Sequence, residues 1–438
     1  MNRITLLAAA AAAALTAFPA MAQDDPHAGH DMPAPEPADP HAGHNMETMD
    51  DPGVHGVIMQ TDGSGTSRLP RLGRSGHHGL HVRTGEWSIM THGYAWGVYT
   101  DQSGPRGDRM ASVQSMAMLS AERDLGNSTS LELRTMLSVE PAMGARGYPN
   151  LFATGETAGG VSLVDRQHPH DLFMELSARI EFPFDTAIFG PASLYVYGGP
   201  VAEPALGPSA FMHRPSARYL PLAPISHHWF DSTHISYGVV TLGFTQRRFQ
   251  IEGSAFRGRE PDERRWNIET PALDSWSVRA TWEPSMNLLA QVSYGRITAP
   301  ETLHPGQDEG RTTASLQYGD RSFNAMIAVS AKDRLPGPTL IAVLAEGNWN
   351  VAGGHNLFGR IELVENDELF PDHLHPLHDR IFRVGKFEGG YAYRIPLTDT
   401  VNVALGGSVM TYARPAALDP YYGNPVGFTG FVKLSLGD

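Results

Sequence analysis

The residues in this chain best suited to chemistry are histidines and methionines, and some of them recur at fixed spacing. Near the amino terminus the segment DPHAGHDMP (25–33) is repeated as DPHAGHNME (39–47). Each copy sets two imidazoles three apart and a thioether two further on: His27, His30 and Met32, then His41, His44 and Met46. Imidazole suits Cu(II), Ni(II) and Zn(II), whereas thioether sulfur adds affinity for soft Cu(I). The mixed set points to copper, with zinc or nickel as ions the imidazoles would also accept. The bland alternative is a solvated low-complexity tail. The chain holds 20 histidines, 17 methionines and no cysteine, so disulfides, iron–sulfur clusters and thiolate zinc sites are excluded.

Further histidines fall in three groups downstream. His168 and His170 stand in DRQHPHD, His213, His227, His228 and His234 around MHR and SHHWFDSTH, and His373, His375 and His378 in DHLHPLHD, with His304 alone. An H-x-H pair in extended chain puts both side chains on one face, so His168 with His170 and His373 with His375 are each expected to share one ion. Asp171, Asp231 and Asp379 are near enough to ligate or to orient an imidazole. The competing reading is that these histidines brace loops through hydrogen bonds. Met116 and Met118, with Met136 across a predicted hairpin, offer a soft-metal ladder or simple gap filling. Ser226, His227 and Asp231 are the nominal set for a lipid hydrolase, but no nucleophile elbow surrounds Ser226. No Walker A, dinucleotide-binding or H-E-x-x-H motif is present. The expectation is therefore a protein that is not an enzyme.

What positions these residues is read from the rest of the chain. Residues 1–22 carry Arg3, an apolar run and an A-x-A arrangement ending at Ala22, the pattern of a signal peptide cleaved after Ala22. Residues 23–85 are poor in large apolar side chains and rich in Pro, Gly, Asp and His, which predicts a disordered leader in the periplasm. From residue 86 to 438 the pattern is a series of segments with period-two alternation, the signature of a membrane β-barrel. Leu131, Leu133, Thr135, Leu137 and Val139 alternate with Glu132, Arg134, Met136 and Ser138. Leu172, Met174, Leu176, Ala178 and Ile180 alternate with Glu175, Ser177, Arg179 and Glu181, and Trp276, Val278, Ala280 and Trp282 with Ser277, Arg279 and Thr281.

About sixteen such segments can be counted, an even number as single-chain bacterial barrels require. Connections alternate between short turns and longer loops at 141–170, 202–234, 258–274, 298–311, 365–381 and 413–425, which predicts one closed antiparallel transmembrane barrel, all-β, with both chain ends on the turn side. Trp96, Tyr99, Trp282, Tyr391, Tyr393 and Tyr412 are candidates for the interfacial aromatic girdles. A formal net charge of −14, from 33 basic and 47 acidic residues, argues against nucleic acid as a partner.

The His/Met pattern of residues 25–49 resembles the leaders of bacterial copper-resistance outer-membrane proteins, in particular the copper resistance protein B family. Together these readings predict an outer-membrane barrel of a Gram-negative bacterium that binds or passively conducts copper ions. Outer-membrane lipid, metal ions and periplasmic copper-handling proteins are its expected partners. The alternatives are a general porin-like channel with metal-sensitive loops and, more remotely, a lipid hydrolase.

Overall fold

The structure, a computed structural model, describes residues 63–73, 79–186 and 190–437. All of them belong to one compact unit, Val57–Asp438. The signal peptide and both HAGH repeats lie outside the described residues, and so do His55, His77 and His78.

Sixteen strands form the wall. They are β1 (Trp87–Gln102), β2 (Arg109–Gly126), β3 (Thr129–Leu137), β4 (Phe173–Thr186), β5 (Gly190–Ala202), β6 (Ser236–Gln246), β7 (Phe249–Phe256) and β8 (Ser275–Ser285). The second half comprises β9 (Leu288–Ile297), β10 (Asp308–Gly319), β11 (Phe323–Leu335), β12 (Thr339–Ala352), β13 (His355–Asn366), β14 (Phe382–Pro396), β15 (Val401–Ala413) and β16 (Val426–Leu436). Each pairs antiparallel with its sequence neighbours, and β1 pairs with β16 from Gly93 opposite Leu436 to Gln102 opposite Gly427, which closes the sheet. A short strand, Leu80–Thr84, continues the line of β16 by pairing with Trp87–Thr91 of β1. Every segment expected to be a strand is one. The expected fold class, a closed antiparallel all-β barrel, is the one observed.

The wall is inverted relative to a water-soluble protein. Along β8, Trp276, Val278 and Trp282 are exposed while Ser277, Arg279, Thr281 and Glu283 are buried. The same alternation sets Leu242, Ile251, Val292, Ile327 and Ile361 outward against Thr241, Gln250, Gln291, Ser330 and Arg360 inward. An outward apolar surface of this extent needs a hydrocarbon solvent, and the closed hydrogen-bonded ladder leaves no edge for lipid to desolvate. Near the turns, Phe182, Phe249, Trp282, Phe323, Trp349, Tyr391 and Tyr393 stand exposed as one aromatic belt, with Phe249 stacked on Trp282 at 6.5 Å between ring centroids.

Three outward assignments are corrected. Trp96 is only 5% exposed and faces inward, where the Lys433 ammonium lies 5.0 Å from its ring centre. Tyr412 also leaves the belt, packing on Phe152. Met174 is fully buried because the register between β3 and β4 slips there: Met136 faces Glu175 and Leu137 faces Phe173, so one residue of β4 is extra. A bulge of this kind turns neighbouring side chains away from strict alternation.

Connections on one rim are short, such as 127–128, 247–248, 286–287 and 353–354; those on the other include 138–172, 203–235, 257–274 and 367–381. The long loop 203–235 folds into the barrel and is buried almost throughout. Residues 63–73 are also ordered and buried, contrary to the expected disorder to residue 85. Leu72 donates its N–H to Met286 O at the turn rim, and Ser64 reaches Ser209 of the inward loop. Between them the Arg68 and Arg71 guanidiniums both meet Glu283, and Arg134 and Gln250 hydrogen-bond the carbonyls of Gly65 and Thr66. A segment whose only large apolar residues are Leu69, which is buried, and Leu72 is thus held largely by charge and backbone hydrogen bonds, which hydrophobic composition does not reveal.

Candidate functional site

Inward-facing charge on the strands positions everything in the lumen. Glu346 of β12 accepts from Arg214 Nε of the inward loop at 2.6 Å, from Arg360 Nε of β13 at 2.9 Å and from Ser216 Oγ at 2.8 Å. Arg214 also donates to Asp231 Oδ2 at 2.8 Å, so a single guanidinium ties the loop both to itself and to the wall. Ser232 accepts from Arg311, and Ser330 Oγ donates to Trp229 O. Bidentate and bridging geometry of this kind suits Arg, whose planar fork matches carboxylates.

Between this loop and the wall formed by β1, β2 and β16 runs a narrow cavity of about 70 Å³. Its lining runs from Gly73, Leu436 and Gly437 at the turn rim, past His92, Gln114 and Lys433, to Glu140 and His170 beneath the long loops. At about 10–15 Å³ of such space per water molecule, it has room for a few waters.

Above the cavity two of the predicted histidine groups merge. His170 lies 5.3 Å from His234 between ring centroids, His234 5.2 Å from His227, and His227 5.5 Å from His228. His168 and His170, expected to share an ion, instead turn to different carboxylates: His168 Nε2 to Glu156 at 2.9 Å and His170 Nδ1 to Glu140 at 2.8 Å. His227 Nδ1 is bonded to Asp231 Oδ1, and His234 Nδ1 to Asp231 O. Burial pushes His168 down to about 4 and His234 well below the ordinary imidazole value, the latter helped by the neighbouring His227 and His170. Burial also lowers His227 against the pull of Asp231. For Asp231, burial is outweighed by Arg214 and His227, which hold its carboxyl below the usual range. Asp171, expected beside His168 and His170 as a ligand, is bonded to Arg265 and Tyr237.

The third group stays apart. His373 Nδ1 meets His378 Nε2 at 2.8 Å, Asp379 lies 3.1 Å from His378, and His375 stacks on Phe370 while bonding Tyr421. The expected pairing of His373 with His375 is replaced by His373 with His378, because the turn Asp372–His375 folds the segment back rather than extending it. The hydrolase set is not assembled as a relay: Ser226 is fully buried and its hydroxyl donates to Glu362 at 2.8 Å.

On the lumen face of β1 to β4, His92 lies opposite Met118, Met118 opposite Met136, and Met136 opposite Glu175. His213 Nε2 of the inward loop approaches Met136 Sδ at 3.3 Å, and His92 Nδ1 approaches Met90 Sδ at 3.4 Å. Met116 and Met174 complete this cluster, with Met212 packed against it. Alternation made Met118 and Met136 legible as inward. The approach of His213 and Met212 depends on how a long loop folds, and the inward turn of Met174 on a bulge.

No protein-family model matches the chain, and no curated protein sequence matches it. The copper-resistance resemblance of the leader therefore finds no matching family. Among solved structures the chain is similar to Salmonella typhi OmpF in complex with daunomycin, with a TM-score of 0.53 and 8% identity, over 82% of this chain and 100% of that one. Pseudomonas putida OprB, in a high-pH structure, gives 0.49 and 12% over 80% and 94%. An anion-selective porin from Comamonas acidovorans gives 0.48 and 11% over 80% and 100%. The likeness to OmpF is one of fold, a closed antiparallel β-barrel.

Proposed function

We propose that this protein is a passive, narrow porin-like channel of a Gram-negative outer membrane, with its turn rim in the periplasm and its long loops outside. The observation that carries this reading is the lumen itself. A polar wall is partly filled by an inward loop and by residues 63–73, and between that loop and the wall remains a cavity of about 70 Å³ that reaches from the turn rim to the long loops. Passage needs no energy source, since solutes follow their gradients. Single-channel recording in planar bilayers tests it: the expected result is a small, steady ionic conductance, and a barrel that never conducts would refute it.

A second reading, copper passage, is favoured by the cluster of His92, His213, Met116, Met118, Met136 and Met174 beside the cavity. Neutral imidazole with thioether is a donor set for Cu(I). On this reading the HAGH repeats gather copper, and periplasmic copper-handling proteins exchange it at the turn rim. Micromolar Ag(I), a Cu(I) surrogate, should then block the current, and Met136→Leu should relieve the block. A current indifferent to Ag(I) and to Cu(II) leaves the general channel.

A further inference from the structure

Three long loops, those after β3, β5 and β7, send side chains to one buried point outside the cavity described above. Glu156 comes from the hairpin strand Glu156–Ala158, His168 from just beyond Arg166–Gln167, His228 from the short helix His227–Phe230, and Glu260 from the loop 257–274. The ligating atoms of Glu156, His168 and His228 all lie within 4.8 Å of one another, and His228 Nδ1 is 3.2 Å from Glu260 Oε1.

Tautomer logic decides what these atoms can do. His168 Nδ1 is 2.8 Å from Pro169 O, and a carbonyl can only accept, so Nδ1 carries the proton. In the neutral ring that leaves a lone pair on Nε2, which faces a carboxylate oxygen of Glu156 at 2.9 Å. Two lone pairs held this close repel unless a proton or a metal cation lies between them. His228 is 3% exposed; its Nε2 has no hydrogen-bond partner, and its Nδ1 has the ion-pair contact with Glu260 Oε1 at 3.2 Å. Buried polar atoms without partners are costly and uncommon. Gly155, at φ +110°, makes room for the imidazole: a Cβ there would come within 2.6 Å of the His228 ring. Arg265 is shared between Glu156 and Asp171, so it adds one positive charge against two carboxylates, and the group facing Glu260 is His228.

We propose that Glu156, His168, His228 and Glu260 bind one divalent transition-metal cation of the zinc type, which staples the three loops together over the channel mouth. Two imidazoles and two carboxylates make a four-coordinate set for borderline Zn(II), and bonds of about 2.0–2.2 Å place tetrahedral ligands roughly 3.3 Å apart, within the separations seen here. A thioether is absent from the set, which separates it from the His/Met cluster in the lumen. Arg265 bonded to Glu156 Oε2 fixes that carboxylate from behind, leaving the other oxygen to the cation.

The test uses the full chain, purified in detergent, stripped with a chelator and crystallised with Zn(II). Anomalous diffraction at the zinc edge should give a peak among these four residues. A zinc peak only at His373 and His378, or none, would overturn the proposal. In solution, Zn(II) titration of Glu260→Gln and His228→Gln should lose one tight equivalent, with binding weaker by at least about 100-fold, the upper limit for losing a mere outer-shell partner. Unchanged stoichiometry and affinity in folded variants would equally refute it. Heat-modifiable gel migration shows whether a variant folds, and where it does not, the wild-type diffraction result decides.

Discussion

Replacing Glu346 by Gln removes a single charge and almost no volume, and it strikes the point where the inward loop is fastened. The side chains of Glu346, Arg214 and Arg360 are all fully buried, and the one carboxylate bridges both guanidiniums. Removing one partner from a buried charge cluster costs about 3–5 kcal/mol, because the remaining charge is left uncompensated. At about 1.4 kcal/mol per tenfold, the balance between seated and unseated loop should move by two to three and a half powers of ten. Arg214 keeps Asp231, and Arg360 keeps Leu222 O, so the barrel should persist while the loop around residues 214–222 lifts. In planar bilayers the variant should show larger or flickering current steps, and its unfolding temperature should fall. The control is Arg296→Gln, which breaks a half-exposed pair with Asp308 worth about 0–1 kcal/mol and should leave the current unchanged. Wild-type conductance and melting in Glu346→Gln would show that this cluster neither holds the loop nor defines the passage.

Glu283→Gln should free Arg68 and Arg71 together and loosen residues 63–73 in the lumen; faster proteolysis near residue 70, with raised conductance, is the expected readout. Gly207→Ala sets a Cβ 2.1 Å from Phe230 O at φ +80°, so thermal stability should fall, by at least about 1 kcal/mol from the backbone conformation alone. Asp165 supplies a pH dependence: burial, outweighing Arg106, Tyr422 and the Phe152 N–H, pushes its carboxyl up to about 6. A carboxyl raised in the folded state stabilises fully below its unfolded value near 4 and loses that contribution as pH rises through about 6, at most about 3 kcal/mol. Loops 138–172 and 414–425 should therefore resist protease better at pH 5 than at pH 8, and Asp165→Asn should flatten that difference.

The wall was legible because its signal is local. Trp276 to Thr281 alternate in sequence as they do in space, and each turn follows directly on its hairpin. Alternation failed where a bulge intervened at Met174, and aromatic character misled at Trp96, whose ring meets Lys433 rather than lipid. The loop chemistry was legible only as residue types. His168 and His228 stood out as histidines, but Glu156 and Glu260 carry no sequence mark, and the H-x-H spacing could not show that the 372–375 segment folds back or that His168 and His170 each meet a carboxylate from elsewhere in the chain. Convergence of three loops at one point is a long-range property, set by which strands are neighbours around the barrel.

Filling a barrel with charge rather than with apolar side chains has a consequence for how this channel can change. Replacing a buried ion pair by packed hydrophobic residues is often neutral or stabilising, so the pairs Arg214–Glu346, Arg68–Glu283 and Arg279–Glu252 are weak evidence for overall stability. What they supply is address: each guanidinium meets carboxylates at defined points on the strands and loops, which fixes where a loop without its own core must lie. The outward face is constrained by lipid and the ladder by backbone hydrogen bonds, whereas the lumen is written in small charge clusters. Exchanging a pair should therefore move the inward loop and the conductance while the barrel and its sixteen strands stay as they are.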